Sequence, residues 1–146
     1  MKKLGLGLLM GWMALSLTAA EGEWLTDLAQ AKAQAKAGGK LVLLEFTGSD
    51  WCPPCKNLHQ TVIMSKEFTE FAKQNLVLVE VDFPRTKQQS AALKKQNQEL
   101  QATFAITGYP TIVVLDANGK ELAKEIGYGG ASAADYVAKL KQQLKK

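Results

Sequence analysis

Cys52 and Cys55 are the only cysteines of the chain, and they fall in the stretch FTGSDWCPPCK, residues 46–56. Three chemistries use two cysteines at this spacing. As a staple, a Cys52–Cys55 bond closes a loop of about four residues, worth roughly 2 kcal/mol, against about 3 for a fifteen-residue loop. It would tie nothing distant together. As a metal site, Cys52 and Cys55 could share a face with His59, four residues after Cys55. A closed zinc site needs four ligands, and the chain has one histidine and no further cysteine. The bland reading of His59 is a partly exposed helix residue, and no metal is expected. The third chemistry is disulfide exchange. A C-x-x-C at the start of a helix brings both sulfurs within disulfide reach. The helix dipole and free amides favour a thiolate on the first cysteine, and thiolate is the attacking species in exchange. Cys52 is therefore expected to attack a substrate disulfide. Cys55, one turn later and more buried, is expected to resolve the mixed disulfide.

Pro53 and Pro54 bear on the balance of that exchange. Neither has an N–H, so the first helical turn lacks two amides that could reach the Cys52 sulfur. The Cys55 amide is the main donor left. A less stabilised thiolate makes the dithiol form less favoured and the disulfide less oxidising. A moderately reducing centre is expected, not a strong oxidase.

The elements around this motif follow from periodicity. Trp24, Leu28, Ala31 and Ala35 fall at helical spacing, predicting a helix from Trp24 to Ala37 that Gly38-Gly39 ends. Leu41 to Thr47 is an apolar run suited to a strand buried on both faces, interrupted only by Glu45. A helical stretch from about Pro53 to Val62 follows, then a short helix starting at Ser65. Leu76 to Phe83 is the next apolar strand, closed by Pro84. Thr86 to Ala102 reads as a helix with a wet face. Thr111 to Asp116 and Glu121 to Ile126 flank Asn118-Gly119, a hairpin-turn signal. Ser132 with Asp135 three residues on resembles a capping box for a last helix. Strand–helix–strand order with a terminal hairpin implies an α/β domain: a mixed central sheet, helices on both faces, and a C-terminal hairpin and helix.

The first twenty residues stand apart. Met1-Lys2-Lys3 is a short positive start, residues 4–17 carry no charge, and Thr18-Ala19-Ala20 offers small residues before Glu21. That is the pattern of a secretory signal cleaved near Ala20. The apolar run is shorter than the roughly 20 residues that span a bilayer, and no cysteine follows it to carry a lipid. Setting aside residues 1–20 leaves a domain at residues 21–146, with 16 basic against 14 acidic side chains. The basic residues are spread out, with no cluster interleaved with aromatics, so no nucleic-acid partner is expected. Two cysteines in an exported chain would ordinarily form one disulfide.

WCPPCK after an apolar strand, with Gly108-Tyr109-Pro110-Thr111 opening another strand, resembles the thioredoxin superfamily. The resemblance covers nearly the whole chain from Trp24. The run LLEFTGSDWCPPCK and the extra segment VIMSKEFTEFAKQN are similar to the exported, periplasmic thioredoxin-like branch. This implies a thioredoxin-like fold and a thiol–disulfide oxidoreductase, periplasmic or secreted, of reductase or isomerase type, needing no cofactor. Its partners would be protein thiols and disulfides, with a membrane dithiol carrier as electron donor, and the chain would be a monomer. The same resemblance matches Cys52 to the nucleophile and Cys55 to the resolving cysteine. It matches Trp51 to the tryptophan beside the site and Pro110 to the proline that follows a cis bond. That bond would present the Tyr109 backbone to substrate, with Pro53 and Pro54 on the same substrate-facing surface. Gly127 would keep the groove open. Glu45 departs from the pattern. The family usually has a buried Asp here as proton acceptor, whereas this chain has Glu, seven residues before Cys52 and one more than usual. A buried carboxylate is costly without a task, so Glu45 is a candidate base; the alternative is an edge-facing Glu with its head in water. The alternative for the whole chain is a non-catalytic peptide-binding module with an inert disulfide.

Overall fold

The computed structural model describes residues 23–145. The signal-peptide reading lies outside these residues. The elements run β1 (Trp24–Leu25), α1 (Leu28–Gly38), β2 (Leu41–Thr47), α2 (Pro53–Leu58), a π-helical segment (His59–Ile63), α3 (Lys66–Asn75), β3 (Leu76–Asp82), α4 (Ala91–Thr103), β4 (Thr111–Leu115), β5 (Glu121–Ile126) and α5 (Ala133–Gln143). The five strands form one sheet in the order β1-β3-β2-β4-β5. β1, β3 and β2 are parallel. β4 is antiparallel to β2, and β5 to β4. This is the mixed sheet expected of the hairpin topology, with the apolar strands β2 and β3 inside it.

Helices cover both faces. α1 and α4 pack Ala31, Ala35 and Leu100 against Val42, Leu44, Val79 and Val113. On the other face α2, α3 and α5 bring Leu58, Phe68, Phe71, Tyr136 and Leu140 onto Leu43, Leu78 and Ile112. Burial of this kind contributes about 25 cal/mol per Å² of apolar surface, which holds the strand ends where the chemistry lies.

Three predicted boundaries move, each for a local reason. Trp24 is not helical: it pairs in register with Leu78 at the sheet edge, and Asp27 caps α1 by accepting from the Gln30 N–H at 2.9 Å. The helix expected from Thr86 begins instead at Ala91, with Ser90 accepting from the Leu93 N–H. The residues before it are held by Asp50, which accepts from the backbone N–H groups of Arg85, Thr86 and Lys87. The stretch after Cys55 widens into a π turn, the Met64 N–H reaching His59 O at 3.0 Å. The Ser132–Asp135 cap forms as expected, the Asp135 N–H donating to Ser132 Oγ.

Candidate active site

β2 ends at Thr47, and the chain turns through Gly48-Ser49-Asp50-Trp51 into α2. Gly48 O accepts from both the Trp51 and Cys52 N–H groups, at 3.2 and 2.9 Å. A Cβ on Gly48 would fall inside the Trp51 indole, so only glycine lets the ring close over this turn. The turn is anchored to the end of β3. The Ser49 N–H donates to Asp82 Oδ1 at 2.9 Å, and its hydroxyl to Asp82 Oδ2. Asp50 also accepts from Thr86 Oγ1 at 2.6 Å. These hydrogen bonds hold the Asp50 carboxyl well below the usual carboxylate range, the Thr86 hydroxyl contributing most.

Cys52 and Cys55 are joined in a disulfide. Cys52 is the N-cap of α2, in extended conformation, with the two prolines following as its first helical residues. Among the described residues, the one N–H donated to its sulfur comes from Cys55, at 3.3 Å. That is the amide expected to remain once Pro53 and Pro54 are discounted. Cys55 is not markedly more buried than Cys52: they are 1% and 3% exposed. In the disulfide form both cysteines are therefore largely covered. Pro53 and Pro54 are exposed.

Trp51 is half-buried and fixed on three sides. Its Nε1–H donates to Phe83 O at 2.8 Å, its ring meets Tyr109 edge-on at 5.8 Å, and the Arg85 guanidinium lies 4.0 Å above it. Tyr109 accepts from Gln101 Nε2 through its hydroxyl. The Tyr109–Pro110 bond is cis, and Pro110 O accepts from the Gly127 N–H at 2.7 Å. Gly127 has φ 81° with open space where a side chain would stand. Trp51, Tyr109 and Pro110, singled out from sequence, thus come together around the turn that carries the cysteines.

Glu45 lies below the disulfide on the central strand and is 3% exposed. The water-facing alternative for this residue is excluded. Its Oε1 has no hydrogen-bond partner among the described residues. Burial, then the charges of Glu80 and Asp82, push its carboxyl up to about 8. Glu45 and Cys55 line one cleft of about 360 Å³, together with His59, Gln60, Glu80 and Lys87. His59 is exposed at its rim.

Several neighbours escaped the sequence reading. Glu80 pairs in register with Glu45 across β3 and β2, and its carboxyl is raised chiefly by burial. Glu45, Ile112 and Glu125 continue the same row across β4 and β5. Tyr136 of α5 is buried against that face, its hydroxyl raised first by burial and then by Glu125 and Glu45. The signal for Glu80 was visible in retrospect. LVLVEVDF carries a carboxylate inside an apolar run, as LVLLEFT does.

Comparison with known proteins gives the same picture. The disulfide bond reductase DsbH of Chlamydia pneumoniae is 40% identical over 129 residues, covering 88% of this chain and 76% of that protein. The thiol:disulfide interchange protein DsbD of Klebsiella pneumoniae is 33% identical over 117 residues, 80% of this chain. The match spans only 18% of DsbD. Among solved structures, a DsbH oxidoreductase superposes with a TM-score of 0.79 at 37% identity, covering 97% of this chain and 95% of that one. The oxidised C-terminal domain of Neisseria meningitidis DsbD shares the fold, with a TM-score of 0.60 at 19% identity. A thioredoxin-like domain profile matches residues 28–144, from α1 to just past α5, and the chain belongs to that family.

Proposed function

We propose that this chain, a thiol–disulfide oxidoreductase, acts after export as a protein disulfide reductase or isomerase. The observation that carries this reading is a sulfur served by the Cys55 amide together with a buried carboxylate, Glu45, whose Oε1 has no hydrogen-bond partner among the described residues, in the cleft that Cys55 lines. In the dithiol form the Cys52 thiolate attacks a substrate disulfide. One substrate sulfur leaves as thiolate and the other stays bonded to Cys52. Cys55 then gives its proton to Glu45 and attacks Cys52. The Cys52–Cys55 bond forms, the bond to substrate breaks, and its electron pair leaves with the second substrate sulfur. The substrate disulfide is reduced and the protein dithiol oxidised.

The surface formed by Trp51, Pro53, Pro54, Tyr109 and Pro110 would receive an extended substrate segment, with Gly127 leaving it open. Regenerating the dithiol needs a donor of two electrons, and a membrane dithiol carrier suits an exported protein. The names of the DsbH and DsbD relatives support thiol–disulfide chemistry. Export rests on the character of residues 1–20. A Cys55→Ser variant tests catalysis directly, because it traps substrate on Cys52. Mixed disulfides that disappear with reductant are expected from extracts of the producing cell. Their absence would favour an inert binding module.

A further inference from the structure

Glu45 is buried on a central strand, and its only opening among the described residues is the cleft it shares with Cys55. A base in that place can accept the Cys55 proton but must also release it. Glu80 stands beside it. The two residues are register partners on adjacent parallel strands, which places their side chains on one face about 4.8 Å apart at the backbone. Both line the cleft that Cys55 lines. Glu45 is 3% exposed, whereas Glu80 is half-buried nearer the rim, where Lys87 and His59 also stand.

We propose that Glu80 is a second carboxylate of the exchange centre, passing the proton of Cys55 from Glu45 to solvent. This rests on the reading of Glu45 as base. When Cys55 attacks the mixed disulfide, its S–H bond breaks and the proton goes to Glu45. The proton then moves to the Glu80 carboxylate, directly or through a water, and from there to bulk water, leaving Glu45 ionised. No further oxidant or reductant is involved.

The groups around Glu45 fit this direction of transfer. From β3, Glu80 and Asp82 face it with like charge. Lys56 and His59 face the cleft from α2 and the π segment, and Lys87 from the loop after β3. Burial and then Asp82 raise the Glu80 carboxyl, and Lys87 and His59, of opposite charge at the mouth of the cleft, offset part of that. On the far side, Tyr136 of α5 is 2% exposed and Glu125 of β5 is half-buried, and neither Tyr136 Oη nor Glu125 Oε2 has a hydrogen-bond partner among the described residues. The other Glu125 oxygen is engaged by Lys139 at 2.8 Å. The cleft is the opening that Glu45, Glu80 and Cys55 share, and it is the exit of the proposed relay.

The test uses the full reduced protein and an aromatic disulfide whose thiolate absorbs visibly. Stopped-flow mixing gives two releases, the first from attack by Cys52 and the second from resolution by Cys55. The ratio of second to first rate is followed across pH for the wild type, Glu80→Gln, Glu80→Asp and Glu45→Gln. In Glu80→Gln the plateau of that ratio is expected to fall about threefold or more, a small part of what a general base supplies. Its midpoint is expected to move to lower pH, because a like charge beside Glu45 is gone. Glu80→Asp is expected to keep the plateau. A shifted midpoint with an unchanged plateau in Glu80→Gln would overturn the relay and leave Glu80 an electrostatic neighbour. An unchanged profile in Glu45→Gln would overturn the base itself, and the relay with it.

Discussion

Glu45 is a carboxylate on an inner strand with almost no contact with water, and its cost depends on pH. Its carboxyl titrates at about 8 in the folded chain against about 4.5 for an ordinary glutamate. Between those values the folded state holds a proton that the unfolded state has released. Stability therefore falls as pH rises from about 4.5 to about 8, by an amount on the order of a few kcal/mol. Denaturant unfolding of the oxidised protein at pH 5 and pH 9 should show that loss. The Glu45→Gln variant should lack it and be the more stable of the two at pH 9. The prolines likewise disfavour a charged group at Cys52, by withholding two amides from its sulfur. Pro54→Ala restores an N–H at the second helical position, where it can reach the Cys52 sulfur. A hydrogen bond to a charged group contributes about 1.5–3 kcal/mol, so the potential of the pair should rise by about 30 mV or more. Both effects were legible in sequence, because a carboxylate in LVLLEFT and two prolines after Cys52 break local rules in plain view. Glu80 was not read, since its importance depends on strand register, which a single run of residues does not carry.

The active-site turn and the loop after β3 are one structural unit. Asp50 holds the backbone of Arg85, Thr86 and Lys87, while Asp82 holds Ser49. Asp50→Ala should release that loop, seen as faster hydrogen exchange at the Arg85, Thr86 and Lys87 amides than in the wild type. Gly48→Ala should displace the Trp51 ring, seen as a change in tryptophan emission and a lower unfolding midpoint. No such change would mean the turn can shift to admit a Cβ. The seven-residue spacing of Glu45 from Cys52 was visible in the sequence. The anchorage of the turn was not, because Asp50 and Asp82 act on segments more than thirty positions away. The same long-range tie explains why the Thr86–Ala102 pattern overstated its helix. The polar, Lys- and Gln-rich composition ran on through residues 86–90, but the Thr86 and Lys87 N–H groups are engaged by Asp50. Trp24 misled in a similar way: its spacing from Leu28 is helical, yet its partner is Leu78 on a strand.

Across the whole molecule, the sheet order and two-sided helix cover follow from patterns strong enough to survive such local errors. Two long apolar runs, an Asn-Gly hairpin and alternating helices leave few ways to bury the core. The described fold places a strand end, a capped helix start and a cis-proline turn together, with a carboxylate row beneath them. The proposed reducing character rests on the balance at Cys52, where the Cys55 amide serves the sulfur. The redox potential of the Cys52–Cys55 pair, measured by equilibration against a glutathione or dithiothreitol series, reads that balance directly. The expected value lies on the reducing side, nearer the about −270 mV of thioredoxin than the about −120 mV of a strong oxidase. A value above roughly −150 mV would contradict it.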